Sequence, residues 1–205
     1  MDAAPSAYSG WGTMTPMPSP YLYFAGGRLS QAELSAARLD GHVVELGEGY
    51  IPADAIETRG LRAASLSGLL GETLAATHLS AAWVHGALPE PPLRHTVQRA
   101  VERRLHHVLG RRFVYRDLQV DEDDLQRIGG VRVTSPERTL ADLSRIPDDE
   151  YAAAARLMAD LTPDLAFDAV AWLEGHGALP HKRSALAFLR GLAARNQDEV
   201  TRYTS

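Results

Sequence analysis

The chain contains no cysteine. That excludes a disulfide framework and any chemistry that needs a thiolate. Lysine is almost absent too: Lys182 stands alone beside twenty arginines. No GxxxxGK[ST] phosphate loop exists, so Walker-type nucleotide binding is excluded. Lys182 has Pro180 two residues before it, where a PD-(D/E)xK nuclease needs a carboxylate. There is no G-x-S-x-G elbow, no HExxH and no Cys/His zinc spacing. The expectation is a protein that is not an enzyme and holds no cofactor or metal. No run approaches the roughly 20 apolar residues of a membrane span. No Lys or Arg precedes Arg28 and no apolar leader core follows the start, so no secretory signal is expected. A cytoplasmic protein without a membrane partner fits these absences.

What is present is ordinary in bulk and uneven in detail. The 205 residues are 45% apolar with a net charge of −5, so any nucleic-acid surface must be local. The densest local charge lies between Arg94 and Leu143. Seven arginines (Arg94, Arg99, Arg103, Arg104, Arg111, Arg112 and Arg116) face one acid, Glu102, over the first part. Asp117 to Asp124 then carries five acids and no base. Arginine forks suit phosphates, and His95, His106, His107, Phe113 and Tyr115 interleave with them as stacking groups would. Three uses stay open for this basic surface: nucleic-acid contact, contact with a partner protein, or pairing with the chain's own acids. His106-His107 does not suggest a metal site, because adjacent histidines on a helix diverge by roughly 100°. His85 reads as a satisfied core histidine.

Along the chain, residues 1–20 read as a disordered Pro-rich tail. Ser30 and Glu33 form a capping box for a helix from Gln31 to Leu39, stopped at Gly41. Val43 to Ile51 folds about Gly47-Glu48-Gly49 as a hairpin. Residues 58–70 and 79–87 read as helices, and Pro89 to Pro92 as a loop. Strands are expected near 94–99, 111–118 and 131–134. Thr134 or Ser135 caps the next helix, with Pro136 in its first turn and Glu137 completing T-x-x-E. Three more helices follow, with fraying over the last eight residues.

The ordered blocks LSQAELSAARLDG, VVELGEGYIPAD, SAAWVHG (Ser80 to Gly86) and TSPERTLADL (Thr134 to Leu143) carry a resemblance. The chain resembles AbiEi-type antitoxins of type IV toxin–antitoxin systems, in the actinobacterial branch, over roughly residues 29–147. The resemblance implies a winged-helix-like module that binds operator DNA, an antitoxin domain, and a cognate toxin with a nucleotidyltransferase fold. Here only Tyr21 to Leu39 precede the hairpin, room for one helix and a fragment. Asp2 to Arg59 holds seven acids against three arginines. DNA contact in this unit would fall to Arg28, Gln31, Ser35 and Arg38.

The expectation is an α+β fold: a reduced winged-helix-like unit over 21–57, then an antitoxin domain over 58–205. That domain would hold a small mixed sheet (94–134) and C-terminal helices (135–200). Its function would be to neutralise a nucleotidyltransferase-like toxin, with operon repression as a second role. The alternative is a stand-alone DNA-binding transcriptional repressor.

Overall fold

A computed structural model describes residues 20–105 and 111–203. Most of the expected tail, and the His106-His107 pair, lie outside them. The fold is α+β, as the sequence implies, with a small mixed sheet and a helical C-terminal region.

Helix α1 (Gln31–Leu39) starts at the expected capping box. Ser30 Oγ accepts from the Glu33 amide at 3.3 Å, and the Glu33 carboxylate accepts from the Ser30 amide at 2.8 Å. Strands β1 (Val43–Leu46) and β2 (Gly49–Pro52) pair antiparallel, with Leu46 opposite Gly49. The loop is therefore Gly47-Glu48, with Gly47 at φ +55°. Its turn is not free. A Cβ on Gly47 would lie 2.3 Å from Ser65 Oγ and 3.0 Å from the Trp83 ring. The hairpin tip is thus pressed into the body, whereas a DNA-reading wing would present its tip to solvent.

The helical stretch expected over 58–70 divides at Leu66 into α2 (Arg59–Ser65) and α3 (Ser67–Leu70). Leu66 is fully buried at the join. Then comes β3 (Leu74–Ala76) and α4 (His78–His85), which Gly86 ends at φ +96°. The remaining strands are β4 (His95–Arg99), β5 (Phe113–Gln119), β6 (Leu125–Ile128) and β7 (Val131–Thr134). Sheet order is β5-β4-β3-β7-β6. Strands β4 and β5 are parallel, β3 runs parallel to β7 and antiparallel to β4, and β6 and β7 form a hairpin.

This corrects the expected sheet, which began at residue 94. Its central strand is β3, twenty residues earlier, whose Leu-Ala-Ala carries no period-two pattern because it is buried on both faces. Strand β6 also went unread, since Leu125 and Ile128 sit at its ends with Gln126 and Arg127 exposed between them.

Helix α5 (Pro136–Ser144) is capped by Ser135, whose Oγ accepts from the Arg138 amide at 3.4 Å. The T-x-x-E box expected from Thr134 is not formed: Thr134 is the last strand residue, and its hydroxyl bonds Thr139 at 2.7 Å instead. Helices α6 (Asp149–Ala159), α7 (Leu165–Gly175) and α8 (Lys182–Tyr203) complete the bundle. The only lysine closes the α7–α8 turn, with Lys182 Nζ donating to the Gly177 carbonyl at 3.3 Å and also to that of His176. No described helix is long and apolar enough to cross a membrane.

Two apolar clusters result. One joins the first hairpin, α2, α3 and one sheet face around Trp83, Leu66 and Val97. The other fills the helical bundle around Leu140, Met158 and Leu189. Helix α4 lies between them, giving Ala81, Trp83 and Val84 to the first and Leu79 and Ala82 to the second.

Candidate functional site

The two motif blocks meet as one buried polar network. Ser80 Oγ lies 3.1 Å from His95 Nδ1 and accepts from the Thr96 amide at 2.9 Å, fixing α4 on β4. His85 Nε2 reaches the Thr134 carbonyl at 2.8 Å, and Arg59 reaches its other ring nitrogen at 2.8 Å. His85 is therefore a satisfied core histidine. From α5, Arg138 donates to Asp142 at 2.9 Å and to Asp124 at 2.5 Å. Arg145 also pairs with Asp142. Trp172 donates to Asp124 at 2.6 Å and lies under the Arg138 guanidinium, 4.6 Å from ring to Cζ.

These charges set the local proton affinities. Burial lowers His78 and His85 to a pKa of about 4 each, against the opposing pull of Asp142 on His78 and of the Thr134 carbonyl on His85. His95 is lowered for the same reason, burial. For Asp142, burial favours the neutral acid, but His78, Arg138 and Arg145 outweigh it and hold the pKa below the usual carboxylate range. The network is closed and inward-facing. It fastens sheet to bundle.

The sequence-defined basic run does not form one patch. Arg99 turns inward, donating to the Val101 carbonyl at 2.9 Å and lying 3.4 Å from Asp117. Arg94 is exposed and donates to the Phe113 carbonyl at 3.0 Å. Arg112 pairs with Glu48 of the hairpin turn. Arg103, Arg104 and Arg111 are exposed with no carboxylate partner among the described residues. Arg116 is partly buried on β5. The stacking groups go elsewhere: Phe113 and Tyr115 pack on the core around Trp83, and His95 is buried beside that ring.

The N-terminal set is largely engaged within its own unit. Gln31 Nε2 donates to Tyr50 Oη at 3.2 Å and to Ser35 Oγ at 3.4 Å. Arg38 pairs with Glu45 at 3.3 Å. Arg28 is exposed in the turn before α1. Gln31 and Arg112 do come together, both lining an open groove of about 740 Å³ with Glu45, Glu48, Tyr50 and Ser67.

Sequence reading missed Asp124, Arg127, Arg132 and Gln98. Asp124 looked like one more member of an exposed acidic run. Its only sequence signal was its place just before a strand, where a 3-10 turn (Glu122–Asp124) points it inward. Among the described residues no group of three His, Asp or Glu side chains is arranged to hold a metal ion.

A mixed five-stranded sheet braced by α4 and α5, with a four-helix region locked to it through Asp124, Arg138 and Trp172, defines the class of domain present. Residues 74–174, from β3 to the last turn of α7, match the family model of the AbiEi antitoxin C-terminal domain. Through this half of its length the chain belongs to the AbiEi antitoxin family. Among solved structures, the RV2827C protein from Mycobacterium tuberculosis is similar over 82% of this chain and 70% of its own, at 17% identity and a TM-score of 0.33. No curated protein matches the chain.

Proposed function

We propose that this protein is the antitoxin of a toxin–antitoxin pair of type IV. It neutralises a cognate toxin of nucleotidyltransferase type in the cytoplasm and acts without being an enzyme. The observation that carries this reading is the AbiEi antitoxin domain over residues 74–174, whose motif blocks are joined in one network. In this reading residues 58–205 form the antitoxin part and residues 21–57 an appended unit that resembles a reduced winged helix. The exposed arginines at the two ends of the β4–β5 pair, Arg94 and Arg111 before the strands and Arg103 and Arg104 after β4, are the basic positions offered to the toxin or to nucleic acid.

The test is growth of cells expressing the neighbouring toxin gene with and without this chain. Rescue is expected, and absence of rescue by a folded, soluble protein overturns the reading. Changing Arg103 and Arg104 together to Ala is expected to weaken rescue while leaving the melting temperature within about 2 °C, since exposed charges contribute little to stability.

Repression of its own operon is the second role. The unpartnered arginines beside β4 and β5 favour it. The α1 set does not, because Gln31 donates to Ser35 and Tyr50 and Arg38 pairs with Glu45.

A further inference from the structure

The two edges of the five-stranded sheet are finished differently. At one edge β6 is only four residues long, and its hairpin turn is pressed onto α2: a Cβ on Gly129 would lie 2.2 Å from the Gly60 carbonyl oxygen. At the other edge stands β5, with seven residues the longest strand among the described residues. Every residue of β4 is buried and none of β5 is. Among the described elements only β4 is in broad contact with it. The strand FVYRDLQ has neither the proline nor the covering helix with which sheets commonly close a long edge.

The register shows which backbone groups stand free. The His95 amide donates to the Arg112 carbonyl at 2.8 Å, and His95 is opposite Phe113. Alternate residues of a strand turn both backbone groups to the same neighbour. Arg112, Val114 and Arg116 therefore bond to β4, while Phe113 and Tyr115 turn N–H and C=O outward. Pairing is regular over this stretch and shifts register only beyond Arg116. Among the described residues one side chain reaches the outward groups: Arg94 donates to the Phe113 carbonyl at 3.0 Å. That bond holds a guanidinium on the edge itself. Arg111, two residues before Phe113, is exposed with no carboxylate partner among the described residues. The far end is mixed in sign, since Arg103 and Arg104 follow β4 while Asp121 and Asp123 follow β5.

We infer that the outer edge of β5 receives an extended segment of a partner protein as a sixth strand, and that this segment carries carboxylates at the end that meets Arg94 and Arg111. A polypeptide strand offers both the donors and the acceptors that the Phe113 and Tyr115 backbone lacks. A nucleic-acid backbone offers acceptors alone and leaves the outward carbonyls unpaired. A second copy of this chain fits the edge poorly. Two β5 strands pairing antiparallel through their outward groups centre on Tyr115 or on Val114. The first register sets Arg116 diagonal to its own counterpart, and the second sets it opposite Arg112. Like charges across a strand pair are destabilising. An acidic strand meets no such conflict and finds Arg94 and Arg111 waiting at one end. The inference goes beyond the antitoxin reading and does not rest on it, so its failure leaves that reading intact.

The experiment is amide hydrogen exchange on the full chain, read by NMR, with and without the synthetic peptide Glu-Glu-Thr-Val-Thr-Val-Thr-Val-Thr. In the free chain the Val114 and Arg116 amides are expected to exchange slowly and those of Phe113 and Tyr115 fast. The peptide should slow the second pair about tenfold or more. Fluorescence anisotropy of the labelled peptide then measures affinity. N-methylating the peptide throughout, which removes its backbone donors, is expected to weaken binding at least about tenfold. Arg94→Glu with Arg111→Glu should weaken the acidic peptide and strengthen one with Lys-Lys in place of Glu-Glu. That gain cannot arise from misfolding. Protection of Phe113 and Tyr115 in the free, dilute chain overturns the proposal. So does protection that rises with chain concentration, which assigns the edge to a second copy. A folded chain that does not bind the acidic peptide overturns it as well. An N-methylated peptide that binds as tightly as its parent does the same, because charge alone then holds it, as it would hold a nucleic acid.

Discussion

His78 is one of the buried groups through which pH acts on this protein's stability. It sits at the start of α4 at φ +50°, edge-on to Tyr151 at 6.1 Å, with Thr77 Oγ1 3.0 Å from its Nδ1. Arg116, Arg138 and Arg145 surround it with positive charge and Asp142 alone opposes them. Its folded pKa of about 4 lies below the usual value, so the unfolded chain takes up the proton first. Stability from this group is complete above the unfolded value of about 6.5 and falls as pH drops toward 4. His85 acts with the same sign. Urea unfolding at successive pH values is expected to show this loss, and His78→Asn to flatten part of it, since asparagine tolerates positive φ and does not titrate. An equal fall in the variant would remove His78 as a cause. At this scale the sequence spoke unevenly. The blocks around Trp83 and Arg138 stood out as patterns. Their partners did not, because Asp124 is fourteen residues from Arg138 and forty-eight from Trp172. Distance in sequence hides a contact that only the closed sheet creates.

The first hairpin is an element with little tolerance at its turn. The hairpin was legible from Gly47-Glu48-Gly49, although Gly49 belongs to β2 and the loop is two residues, and α1 was legible from Ser30 and Glu33. What lies beneath the loop was not legible, since Ser65 and Trp83 belong to separate helices. Gly47→Ala is expected to destabilise the fold by about 1–3 kcal/mol, through overpacking against Ser65 and backbone strain at φ +55°. Ser65→Gly in the same chain should return part of that loss in a denaturant melt. If the double variant is no more stable than the single, the contact with Ser65 is not the cause. Strand β3 failed to read for an opposite reason. A strand buried on both faces has no alternation, and Leu-Ala-Ala fits a helix equally well.

At the scale of the molecule, α+β character and the helical C-terminal region were readable from periodicity and caps. The sheet order was not, because β3 pairs with β4 and β7 across intervals that no local signal spans. Nor was the path of the core. The boundary expected between residues 57 and 58 falls in the loop joining β2 to α2, and the Trp83 cluster crosses it, drawing Leu22, Leu46 and Ile51 together with Val97 and Val133. The match to the antitoxin family begins later still, at residue 74. Residues 74–174 expressed alone are therefore expected to lack a sharp thermal transition, while the full chain shows one. A sharp transition from the fragment would mean that the cluster contributes little.

The seated hairpin turn also constrains how such proteins can be recombined. Joining the N-terminal unit of one relative to the antitoxin part of another exchanges a plug without its socket. Such a chimera should fold only when the residues under the turn, Ser65 and Trp83, travel with Gly47. Moving the crossover point to the far side of α4 is then the design that should succeed.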